Sequence, residues 1–71
     1  MPHISVKMYP GRTLEVKEDF AKKLQKLTME EFGCQAGHIS VSVEDIAQED
    51  WQKEVVEQIK SEDLIIEPNF I

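Results

Sequence analysis

The sequence predicts an α/β (α+β) fold built on a single β-α-β unit, two parallel strands joined by a long helix and followed by a C-terminal helix. Three observations predict it. Residues 3–9 alternate, with Ile4, Val6 and Met8 on one side and His3, Ser5, Lys7 and Tyr9 on the other, which is the period of a half-buried strand. Apolar residues between Val16 and Phe32 recur at helical spacing. Residues 38–44 alternate again, Ile39, Val41 and Val43 against Ser40, Ser42 and Glu44. With tight connections between them, the strands are expected to run parallel with a right-handed crossover. Parallel pairing places the starts of both strands at one edge, so Pro2 is expected near residues 38–40.

Each element follows from its residues. Pro10-Gly11 punctuates the first strand, and Arg12-Thr13 leads into the helix, with Thr13 as N-cap and Glu15 at the positive end of the dipole. Val16, Phe20, Leu24 and Leu27 form the apolar stripe, Ala21, Thr28 and Phe32 lie near it, and the lysines occupy the other faces. Phe20 and Phe32 are expected in the core, and the lysine-rich face in solvent. Gly33 closes about five turns as C-cap. A polar connector over 44–50 carries Ile46 and Ala47 as anchors. Glu49-Asp50-Trp51 opens a second helical pattern with Val55, Val56 and Ile59 as its stripe, capped by Glu49 or Asp50. Leu64-Ile65-Ile66 reads as an edge strand or an intersubunit contact.

Composition bounds the function. The 71 residues make one domain over 1–71, and below roughly 70 to 80 residues one core rarely supplies more than about 3–5 kcal/mol. Cys34 is the only cysteine, and no Cys/His cluster has zinc spacing, so neither a disulfide nor a metal can staple the chain. The helix covers one sheet face only. A second copy is expected to bury the other, giving a homo-oligomer. The net charge of −6 argues against nucleic-acid binding, and no apolar stretch approaches the roughly 20 residues that span a bilayer. The first residues lack a charged region followed by a hydrophobic core, so no secretory leader and a cytoplasmic compartment are expected.

Pro2 is the candidate of greatest chemical interest. Removal of an initiator Met before Pro would expose a secondary amine. A free α-amino group has a pKa of about 7.7–8.0, lowered by burial or a neighbouring cation, so a proline amine can act as a general base near neutral pH. The alternative is that Pro2 only reflects the common acceptance of Pro near chain starts. Arg12, the sole arginine, is either an anion binder or a surface partner of Glu15. Trp51, the sole tryptophan, is either a pocket wall or simple core or interface.

Met1-Pro2-His3-Ile4, Gly11-Arg12-Thr13, the β-α-β layout, the segment Ile-Ala-Gln-Glu-Asp-Trp at 46–51 and the ending Ile66-Glu67-Pro68-Asn69-Phe70 together resemble the 4-oxalocrotonate tautomerase family of the tautomerase superfamily, in its small bacterial PptA-like branch. The resemblance implies a cofactor-independent isomerase of tautomerase/MIF-like fold. Pro2 would shuttle a proton between oxygen and carbon of an enol, Arg12 would bind the substrate carboxylate, and Trp51 would wall the pocket. The second-strand arginine of the dicarboxylate-processing members is matched by Ser40, so a second bidentate clamp is missing. A 2-oxo acid with one carboxylate, such as an arylpyruvate, therefore fits better than 4-oxalocrotonate. The long tail after Trp51 resembles the dimeric members, which favours a homodimer over a hexamer. Two other functions remain: a haloacrylate dehalogenase-like hydrolase, and a non-catalytic binding or assembly module that kept the fold.

Overall fold

The computed structural model describes residues 1–69. Strand β1 spans His3–Met8, helix α1 Leu14–Phe32, strand β2 Ser40–Asp45 and helix α2 Trp51–Glu54. The strands pair parallel in the register His3 with Ser40 through Met8 with Asp45. As expected from that pairing, the Ser40 N–H donates to the Pro2 carbonyl at 3.3 Å, and the ladder closes at its other end where the Ile46 N–H donates to the Met8 carbonyl at 2.8 Å. Tyr9 and His38 fall outside the strands, His38 in a 3-10 turn over Ala36–His38.

Helix α1 begins and ends where its sequence directs. The Val16 N–H donates to Thr13 Oγ1 at 3.2 Å, and Gly33 turns left-handed at φ 68°. No atom stands within 4 Å of where a Gly33 side chain would project, so Gly33→Ala meets only the left-handed backbone cost. A loss of about 1–2 kcal/mol is expected, measured as a shift in the urea midpoint with unchanged slope.

The packed face of α1 differs from the expected one. Residues 17, 21, 24, 25 and 28 are half-buried or buried against the sheet, while Phe20 is 41% and Phe32 71% exposed. Neither phenylalanine belongs to the core of the chain. The reason is width: two strands about 4.8 Å apart cannot cover the apolar arc of a helix about 10 Å across, and Val16, Phe20 and Leu27 overhang. Lys17 is likewise not on a solvated face. Its Nζ lies 2.7 Å from Asp45 Oδ2 and ties the first turn of α1 to the end of β2. Gln25 Nε2 donates to the Ala36 carbonyl at 3.2 Å, and the Thr28 hydroxyl returns to the Leu24 carbonyl at 2.8 Å.

After β2 the anchor at Ile46 is buried, as are Ile39 and Val55. The second helical pattern yields only four helical residues, flanked by 3-10 turns over Gln48–Asp50 and Val56–Gln58. No side chain caps it, so the expected Asp50 or Glu49 cap does not form, and the β-branched pair Val55-Val56 that follows lowers helix propensity. Leu64-Ile65-Ile66 is no strand. It follows a 3-10 turn over Ser61–Asp63, with Ile65 and Ile66 more than four-fifths exposed. Phe70, part of the C-terminal resemblance, lies outside the described residues.

The sheet face away from α1 also departs from expectation. Trp51, Val55, Gln58 and Ile59 sit beside Ser5 and Lys7 of β1, so the chain's own C-terminal segment takes part of that face, and His3, Ser40, Ser42 and Glu44 on the remainder are polar. The unpartnered apolar surface runs instead along the flank of α1 and β1. The accessible surface is 6137 Å², whereas a monomer of this mass exposes about 4,500 Å². The radius of gyration is 13.7 Å against about 11 Å for a compact chain of this length.

Candidate active site

The three candidate residues occupy three separate places. Pro2 is half-buried at the start of β1, its carbonyl held by the Ser40 N–H. Arg12 lies beyond the other end of β1, a strand about 20 Å long. It lines a groove of about 360 Å³ between β1 and α1, with Val6, Met8, Val16 and Phe20 as the apolar wall and Lys7 and Lys17 beside it. With Lys17 paired to Asp45, Arg12 and Lys7 are the cations of this groove without an ion-pair partner among the described residues.

Trp51 stands at the same end as Arg12 but on the opposite side of the sheet. Its indole meets the Tyr9 ring edge-on, centroids 4.8 Å apart at 82°, a favoured aromatic geometry. The pair opens a cavity of about 600 Å³, completed by Val55, Val56, Ile59, Leu64 and Pro68 with Gln52 and Ser61 as polar points. Its size suits a small organic molecule. Tyr9, to which the sequence assigns no role, lines this cavity; the signal available was its alternation onto the Lys7 side, at the end that carries Arg12.

The Pro2 end has its own polar cluster. His3 Nδ1 lies 2.7 Å from Ser40 Oγ, and His3 Nε2 lies 3.3 Å from Ser42 Oγ. Ser40, the residue matched to the absent second arginine, thus contacts Pro2 through its backbone and His3 through its side chain. Among the described residues no group of three or more His, Cys, Asp or Glu is arranged to hold a metal ion, and no helix is long and apolar enough to cross a membrane.

Pro2, Arg12 and the Trp51–Tyr9 cavity thus lie at three places of one chain. Residues 2–58 match the model of the family described as Tautomerase enzyme. A protein of Xylella fastidiosa (strain 9a5c) named "Probable tautomerase" is 38% identical over 55 residues, which cover 78% of this chain and 67% of that protein. Among solved structures, YwhB, described as a homologue of 4-oxalocrotonate tautomerase, superposes with a TM-score of 0.67 at 24% identity, over 83% of this chain and all of that one; this likeness shows a shared fold. With both its residues and its strand-helix-strand arrangement matched, the chain belongs to the tautomerase family.

Proposed function

We propose that the chain, after loss of Met1, catalyses keto-enol tautomerisation of a 2-oxo acid, with the Pro2 amine as general base and Arg12 as the carboxylate binder. The observation that carries this reading is the placement of Pro2 and Arg12 at opposite ends of one strand whose outer edge is unpaired among the described residues. No single chain brings them together. A second copy laid antiparallel along β1 sets its Pro2 at the Tyr9–Arg12 end of the first, between the Arg12 groove and the Trp51 cavity. Each dimer then has two such sites. The excess accessible surface, roughly 1,600 Å² over a compact monomer, exceeds the ~800 Å² per partner of an ordinary stable interface.

In this reaction the neutral amine takes the proton from the enol oxygen and returns it to carbon, so the amine is regenerated and no cofactor takes part. Arg12, a rigid bidentate donor, fixes the carboxylate and offsets charge on the adjacent oxygen. Trp51 and Tyr9 receive the apolar end of the substrate and keep water from the amine. A single arginine and an aromatic-walled cavity fit one carboxylate and one aromatic group, as in an arylpyruvate.

The test is ketonisation of enol phenylpyruvate by protein whose intact mass shows Met1 removed. Acceleration over buffer supports the reading, and none at micromolar enzyme removes it. In the same assay Arg12→Ala is expected to raise KM by roughly 10- to 100-fold, the worth of a charged hydrogen bond at about 1.5–3 kcal/mol, with a smaller change in kcat. An unchanged KM would take Arg12 out of the site.

A further inference from the structure

The two ends of the β1–β2 ladder are held unequally. At the Met8 end the closing backbone bond is 2.8 Å, whereas at the Pro2 end it is 3.3 Å, long for an N–H···O bond. With Met1 attached Pro2 has no N–H to pair, and chain termini fray unless tied. A base at such a terminus loses orientation, and orientation is what positions a lone pair on a substrate proton. What adds to this weak end is the side chain of the next residue. The His3 ring is caught between Ser40 Oγ at 2.7 Å and Ser42 Oγ at 3.3 Å, a cross-strand clip on the polar face directly beside Pro2.

We propose that His3, gripped by Ser40 and Ser42, is a positioning residue that holds the start of β1 and through it fixes the Pro2 amine; this rests on the reading of Pro2 as the base. The chemistry of the three groups suits the task. Imidazole offers a donor and an acceptor nitrogen when neutral and two donors when protonated, and each serine hydroxyl can donate or accept. The clip therefore closes in either charge state of the ring. It also assigns a use to Ser40 in place of a substrate-binding arginine: one residue serves the Pro2 carbonyl through its N–H and the His3 ring through its hydroxyl.

The test reads turnover and local opening separately, on Met1-free protein. His3→Ala is expected to lower kcat roughly 10- to 100-fold with KM within about twofold, and His3→Gln, which can both donate and accept, to recover most of the loss. By amide hydrogen exchange, His3→Ala is expected to accelerate Ser40, whose N–H donates to Pro2, while Ile46, bonded at the far end of the ladder, keeps its protection. A merely structural role predicts that both amides lose protection together and that Gln fails to rescue. Unchanged kcat in His3→Ala, or unchanged Ser40 exchange, overturns the proposal. If protein that retains Met1, whose Pro2 nitrogen is an amide, keeps full turnover, the base assignment fails instead, and the Ser40 exchange result still decides whether His3 holds the strand.

Discussion

Pro2→Ala is expected to lower kcat by about 100-fold, the scale on which a misdirected reacting group costs rate. Alanine is a fair replacement, because Met1 is removable before it and a primary amine remains. What disappears is the ring that fixes the direction of the lone pair. A sharper arm uses protein that retains Met1. There the nitrogen of Pro2 is an amide whose lone pair is delocalised into the carbonyl, and turnover should fall to background. In the processed protein, kcat/KM should climb with pH as the amine loses its proton and level off above the amine's pKa. Full activity in the Met1-retaining form would assign the chemistry to another group.

Phe20→Asp is expected to abolish self-association and, with it, the folded state. Among the described residues the chain alone buries only Ile39, Ile46 and Val55 of its apolar side chains, too small a core to offset the conformational entropy of ordering the chain. Val16, Phe20 and Leu27 overhang the sheet and are between two-fifths and about half exposed. Burying a phenylalanine contributes about 1.5–3 kcal/mol, twice over in a symmetric dimer, and a carboxylate there adds a desolvation penalty. Wild-type protein should unfold at a midpoint that rises with concentration. Phe20→Asp should lack a cooperative transition, while Lys26→Asp, on an exposed face, should resemble wild type. A folded, monomeric Phe20→Asp would show that one copy suffices.

Local signals made the crossover legible in advance: alternation for both strands, Thr13 and Gly33 for the ends of α1, and Pro10-Gly11 for the turn. Tertiary choices were less so. Periodicity identified an apolar arc on α1 but not which part of it two narrow strands would cover, and so misplaced Phe20, Phe32 and Lys17. The stripe Val55, Val56 and Ile59 suggested a full helix, yet an uncapped start and adjacent β-branched residues left four residues helical. Of the candidate site, the sequence offered Pro2, Arg12 and Trp51 as residue types, and their roles belong to the proposed reading. That one chain keeps them apart was not, because separation across a strand and across the two faces of a sheet is set by register and by the C-terminal segment. The His3 clip was invisible for the same reason, since its partners lie 37 and 39 positions away.

That distance has a consequence for how the protein is made. The neighbour of β1 in the sheet is β2, with His3 opposite Ser40, so nothing downstream can fix the first strand until more than half the chain has been synthesised. Chains emerge at about 5–20 residues per second, which leaves the N-terminus unpaired for seconds. A processing peptidase would meet Met1 on a loose thread, before the ladder forms and before any second copy arrives. On the proposed reading, parallel topology would thus order events in time: the amine would be uncovered while it is still accessible and enclosed only afterwards.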